Sequence, residues 1–217
     1  MCKAKDAPAY GAPPQFVDIY IAKLPDAAPA APVLCAARQA EIEGTANERL
    51  RREKYYVWRL LCYGLEKSLG LCEADLAFVK EENGAWTVNG AEISLSHSKN
   101  VLAVAVSLSP VGIDVERVTP HRKDAAAKVF TKAERDAMAS LPVALQDRFF
   151  ITTFTGKEAL YKQAKGALPL SLLDTTSTPL KTGELTVAGD TYLWAIATDT
   201  PHAVRVFDLT ESNEPIL

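Results

Sequence analysis

Val111-Gly112-Ile113-Asp114-Val115-Glu116 and Phe154-Thr155-Gly156-Lys157-Glu158-Ala159-Leu160-Tyr161-Lys162 are the two stretches that decide how this chain folds and what chemistry it can hold. The first ends an apolar run, Val101 to Val106 and then Val111 to Val115, that predicts strand. Alternation along a strand puts residues i and i+2 on one face, so the Asp114 and Glu116 carboxylates point the same way. The second stretch predicts helix, and there Glu158 and Lys162, at i and i+4, share a face. Three carboxylates able to converge on one point suit a hard cation such as Mg²⁺, which takes a few carboxylate oxygens together with water and substrate phosphates. Nearby lysines suit those phosphates. The pattern therefore implies a metal-assisted reaction on a phosphate-bearing substrate.

Outward from these stretches, strand and helix signals alternate along the whole chain. A strand is expected over Phe16 to Ala22, between segments rich in Pro and Ala such as Pro25 to Pro32 that read as loop. A helix is expected from about Ala46 to Leu69, with Leu50, Val57, Leu61, Leu65 and Leu69 on its apolar face and Gly70 as its stop. Short strands follow at Leu76 to Lys80, at Trp86 to Val88 before an Asn89-Gly90 turn, and at Ser94 to Ser98. Thr131 and Glu134 form a capping-box pattern that opens a helix to about Ser140, and a further helix is expected over Leu145 to Lys165. Glu184 to Val187, Tyr192 to Thr198 and Ala203 to Leu209 read as a closing meander. Each half thus offers a long helix with antiparallel strands, which implies an α+β fold of two similar halves, 1–112 and 113–217.

Composition narrows the function classes. The 217 residues are 48% hydrophobic and 24% charged, ordinary for a soluble globular protein. A net charge of −3 supplies no global basic field, so no nucleic-acid partner is expected and any anion site must be local. Cys2, Cys35, Cys62 and Cys72 show no CxxC spacing and no pairing with the three histidines, which argues against structural zinc. No secretory signal follows Met1, and the longest apolar run is too short and too interrupted to span a bilayer. A cytoplasmic protein without a membrane partner is the expectation.

Taken singly, each candidate has a plain alternative. Asp114 and Glu116 could end an exposed strand, Glu158 and Lys162 could lie on a solvated helix face, and His97 could be an ordinary polar-strand histidine. Taken together, in this order and spacing, they resemble the Sfp-type 4′-phosphopantetheinyl transferases. That family carries a G-I-D-x-E strand, matched by Gly112 to Glu116. It also carries a [W/F]-x-x-K-E-[A/S]-x-x-K helix, matched by Phe154 to Lys162, and an [I/L]-S-H-S segment, matched by Leu95 to Ser98. The likeness runs from about Arg51 to Thr176.

The resemblance implies two α+β halves related by pseudo-twofold symmetry, an active site in the cleft between them, and a monomer. It implies Asp114, Glu116 and Glu158 as ligands of Mg²⁺, with Mn²⁺ the alternative. It gives Glu158 and Lys162 catalytic roles, and places Lys157 and Lys162 on the phosphates of coenzyme A. His97, with Ser98 or Lys99 beside it, and Arg52 and Arg59 on the first helix fall at the 3′-phosphate. The implied reaction moves the 4′-phosphopantetheine group from coenzyme A to a serine of an apo acyl or peptidyl carrier protein, releasing 3′,5′-ADP. The other reading is a non-catalytic coenzyme A or nucleotide-binding protein on the same fold. One departure stands out. Where many members have a G-[K/R]-P segment, this chain has Asn83-Gly84-Ala85-Trp86, without the basic residue.

Overall fold

A strand buried on both faces starts the fold. In the computed structural model, which describes residues 16–120, 123–175, 180–199 and 203–211, the first strand β1 is Phe16–Lys23. The Pro/Ala-rich loop after it packs back on the protein, with the Tyr56 hydroxyl donating to the carbonyls of Ala27 and Ala28. A helix that the sequence pattern did not mark, α1 (Ala36–Glu43), comes next. Helix α2 (Glu48–Leu69) is capped by the Asn47 side chain and stopped by Gly70 at φ 69°, a left-handed conformation in which glycine meets no Cβ penalty. Its buried stripe includes Val57, Leu61 and Leu65 as expected, whereas Leu50 faces outward.

The strands then follow close to their expected places: β2 (Phe78–Lys80), β3 (Trp86–Val88), β4 (Glu92–Ser98), β5 (Val101–Ser107) and β6 (Val111–Arg117). A second unmarked helix, α3 (Lys123–Val129), precedes α4 (Lys132–Ser140), whose capping box pairs Thr131 with Glu134 as expected. Helix α5 (Val143–Gln163) leads to β7 (Leu180–Val187), β8 (Asp190–Thr198) and β9 (Ala203–Asp208). The closing segment is not a simple meander. β7 and β8 pair with β6 in a sheet of order β6-β8-β7, but β9 leaves them and pairs parallel to β1, completing a sheet of order β4-β5-β1-β9.

The two sheets stack, and a long helix covers each outer side, giving the α+β class. Tyr20, Leu102, Val104 and Val106 face α2 residues such as Trp58 and Leu61 on one side of the four-stranded sheet. The alternate residues Ile19, Ile21, Ala103 and Ala105 face Ile113, Val115 and Ile196 of the other sheet. This is why β5 is buried at every position and reads as an unbroken apolar run. On the far side, Ala159 and Leu160 of α5 pack against Ala195 and Ala197. Helix α5 lies so close to β6 that a Cβ at Gly112 would fall 1.9 Å from the Ala159 carbonyl oxygen, so only glycine fits there. No helix among the described residues is long and apolar enough to cross a membrane. The expectations that rest on residues 1–15, including Cys2, and on His121, Thr176 and His202 lie outside the described residues.

Candidate active site

Three serines join the sheets at the site. β4 and β6 belong to different sheets, and serine hydroxyls bridge them in register. Ser94 Oγ accepts from the Ile113 amide at 3.0 Å, Ser96 Oγ from Val115 at 3.2 Å and Ser98 Oγ from Arg117 at 3.1 Å. Ser96 Oγ also donates to Asp114 Oδ1 at 2.8 Å, and Ser98 Oγ to Glu116 Oε2 at 2.9 Å. The period-two spacing of Ser94, Ser96 and Ser98 aims all three at one neighbour, so each of the last two serines fixes a backbone amide and a carboxylate together.

Asp114 is almost fully buried. Its Oδ1 receives Ser96 and, at 2.6 Å, the Lys162 ammonium, which also donates to the Ile113 carbonyl at 3.1 Å. Its Oδ2 is buried without a hydrogen-bond partner. A cavity of about 310 Å³ opens over this group and is lined by Asp114, Glu116, Glu158, Lys162, His97 and Phe154 among others. Adjoining space of about 270 Å³, shared at Glu158 and Lys162, runs between Trp86, Ile93 and Tyr161. Burial and then the Asp114 charge raise the Glu158 carboxyl, with Lys162 opposing.

The same two causes push Glu116 up to about 7 from an ordinary 4.5. The folded protein thus holds on Glu116 a proton that the unfolded chain releases in the window from 4.5 to about 7. The group favours folding below that window, and the contribution is lost as pH rises through it. With EDTA present, the melting temperature is expected to fall as pH rises across the window, and Glu116→Gln to flatten that slope. A variant profile parallel to the wild type would take Glu116 out of the cluster.

The donors fit a hard cation: they are all oxygens, they repel one another electrostatically, and one buried carboxylate oxygen has no partner. They do not form a closed cage. Among the described residues no group of three or more His, Cys, Asp or Glu side chains is arranged to hold an ion, and Lys162 lies on the Asp114 oxygen.

The other expected residues divide. His97 lines the cavity, its Nδ1 3.4 Å from Glu53 Oε2; burial lowers the imidazole's affinity for a proton and Glu53 opposes that. Ser98 sits at the site, but its hydroxyl is committed to Glu116 and the Arg117 amide. Arg52 bonds the Asp26 carbonyl and pairs with its carboxylate at 3.5 Å, and neither it nor Arg59 is among the residues lining the carboxylate cavity. Lys157, expected on the phosphates, is turned the other way. It is 0% exposed, and its ammonium meets Glu134 Oε2 at 2.8 Å and the carbonyls of Leu170 and Leu173 at 3.0 and 2.6 Å. Helical geometry explains this, because the step from Lys157 to Glu158 is about 100° around the axis.

Sequence reasoning did not mark Glu53, which carried no signal beyond being one more charge on a charged helix. It also gave no role to Lys165, which pairs with Glu92 at 3.2 Å while its carbonyl accepts from Asn83 at 2.7 Å. That contact ties the loop lacking the family's basic residue to the end of α5.

Comparison with known proteins agrees with this geometry. Residues 110–207 match the model of the 4′-phosphopantetheinyl transferase superfamily, a range that holds Asp114, Glu116, Glu158 and Lys162. A 4′-phosphopantetheinyl transferase of Bacillus subtilis is 30% identical over 118 residues, 53% of this chain and 52% of that protein. The 4′-phosphopantetheinyl transferase psf-1 of Bacillus pumilus is 29% identical over 115 residues, 52% of this chain and 49% of its own length. The transferase Sfp of Bacillus subtilis strain 168 is 26% identical over 111 residues, half of each chain. The chain spans about half the length of the curated relatives it matches.

Proposed function

We infer, for a chain whose residues 110–207 match the model of the 4′-phosphopantetheinyl transferase superfamily and which is similar to Sfp, that it moves 4′-phosphopantetheine from coenzyme A to a serine of an apo acyl or peptidyl carrier protein. The observation that carries this reading is the convergence of Asp114, Glu116, Glu158 and Lys162 on one cavity inside the matched segment.

Magnesium, or manganese in its place, held by Asp114, Glu116 and Glu158 would supply charge neutralisation on the pyrophosphate. The rest falls to the protein. Lys162 offers its ammonium to the phosphates and fixes their direction. Glu158, its carboxyl raised by burial and then by Asp114 with Lys162 opposing, is the carboxylate placed on the cavity to accept the hydroxyl proton. The carrier serine oxygen bonds to the β-phosphorus, the bond from that phosphorus to the bridging oxygen breaks, 3′,5′-ADP leaves with the electron pair, and the serine proton passes to Glu158. Glu53 takes the Nδ1–H of His97, and Nε2–H donates to the 3′-phosphate once the ring is protonated, a state that Glu53 and the phosphate charge both favour.

His97→Ala is expected to weaken coenzyme A binding by roughly 1.5–3 kcal/mol, the usual range for a hydrogen bond to a charged group, and to leave 3′-dephospho-coenzyme A nearly unaffected. Calorimetry with both ligands checks this, and equal losses would take His97 off the 3′-phosphate. The same reading takes 1–112 and 113–217 as two pseudo-symmetric halves of a monomeric cytoplasmic enzyme, with the site in the cleft between them.

Intact-mass spectrometry of an apo acyl carrier protein, incubated with this protein, coenzyme A and Mg²⁺, tests the function. A gain of one phosphopantetheine group that EDTA abolishes is the expected result. No gain on acyl or peptidyl carriers, with coenzyme A still bound, would favour the non-catalytic binding protein.

A further inference from the structure

The closest cation to the carboxylate cluster belongs to the protein itself. Lys162 reaches from α5 onto β6 and sets its ammonium 2.6 Å from Asp114 Oδ1 and 3.1 Å from the Ile113 carbonyl. Asp114 has no other ion pair among the described residues, and its second oxygen has no partner. Glu116 and Glu158 line the same cavity as Lys162. One ammonium thus faces three carboxylates.

A hard divalent ion binds carboxylate oxygens at about 2.0–2.1 Å. An ion taking Asp114 Oδ1 would press against the ammonium already there, and two cations at that separation repel. The lysine can move. Its side chain is 27% exposed toward the cavity, on a flexible four-carbon stem.

We propose that Lys162 is a built-in counter-cation of Asp114 that couples the divalent ion to the donor. It occupies the carboxylate until an anionic pyrophosphate draws its ammonium away, and Asp114, Glu116 and Glu158 then take the ion at full affinity. The proposal rests on the metal-site reading above. By linkage, coenzyme A must tighten the ion by the same factor as the ion tightens coenzyme A, and Lys162 carries a share of that factor. A lysine that only holds phosphate would leave ion affinity in the absence of donor unchanged.

Mn²⁺ binding, followed by calorimetry and electron paramagnetic resonance with and without coenzyme A and with no carrier present, decides it. Wild type is expected to bind Mn²⁺ about 10-fold or more tighter once coenzyme A is added, within the usual range of coupling. Lys162→Met is expected to bind Mn²⁺ about 10-fold tighter than wild type without coenzyme A, and to gain little when it is added. Lys162→Arg, which keeps the charge, should stay as weak as wild type. Lys132→Met removes a charge from an exposed pair on α4 and should change nothing.

Lys162→Met binding Mn²⁺ no tighter than wild type would overturn the proposal. So would a wild-type affinity indifferent to coenzyme A, an outcome that needs no variant to fold. Asp114→Asn separates the two failures. If it abolishes Mn²⁺ binding while Lys162→Met behaves as wild type, the metal site stands and only the coupling falls. If it binds Mn²⁺ like the wild type, the metal-site reading falls and the coupling with it.

Discussion

Asp114→Asn is expected to cut phosphopantetheine transfer by at least 10²–10³-fold, the scale on which a single preorganised electrostatic contact contributes to catalysis, while the fold persists. The side chain keeps its size, and Ser96 can still donate to the retained oxygen, so the serine contact between β4 and β6 survives. What disappears is the charge. Lys162 loses its only paired carboxylate among the described ion pairs, and the cluster loses the one group that raises both of its neighbours. Glu116 and Glu158 should therefore titrate closer to an ordinary carboxyl. The melting temperature with EDTA present should be unchanged or slightly higher, since burying a carboxylate with one partnerless oxygen costs free energy that a neutral side chain incurs less. Single-turnover transfer, read together with thermal melts, checks both parts. Transfer within a few-fold of wild type would remove Asp114 from the reacting centre. A collapse in stability would make it a structural ion pair.

The residues that carry this prediction were legible because strand and helix periodicities are local rules. Alternation puts Asp114 and Glu116 on one face, and the i,i+4 step puts Glu158 and Lys162 on another. The structure brings both faces to one cavity. Non-local relations were not legible. Nothing in Ala203 to Leu209 says that the strand leaves β8 and pairs with β1, because that choice depends on which sheet edge is open. The short helices α1 and α3 have too few turns to show a period and depend on packing. Ser98, which only the resemblance set beside a ligand, spends its hydroxyl on an amide and a carboxylate across a sheet seam lacking a backbone ladder, a non-local relation the sequence does not show. Glu53 faces His97 only because α2 lies across the β4 end, a packing fact invisible along the chain.

Lys157→Met should cost stability, about 3–5 kcal/mol, with little direct effect on the donor. Its ammonium has three N–H groups and three acceptors within reach: the Glu134 carboxylate and the carbonyls of Leu170 and Leu173. The Glu134 oxygen that pairs with Lys157 also accepts from the Thr131 amide at 2.8 Å, so one buried contact joins α5, the start of α4 and the turn that follows α5. Methionine fills similar space but leaves a buried carboxylate uncompensated, and breaking one side of a buried pair is far more costly than replacing both. Lys157→Met/Glu134→Gln should accordingly lose less than the sum of the two single changes, a coupling that urea unfolding of the four proteins measures. At temperatures where Lys157→Met remains folded, calorimetry should find its coenzyme A affinity within a few-fold of wild type. Unaltered stability with lost coenzyme A binding would return Lys157 to the phosphates. The opposite result makes Lys157 the residue that fixes the helix from which Glu158 reaches the cavity.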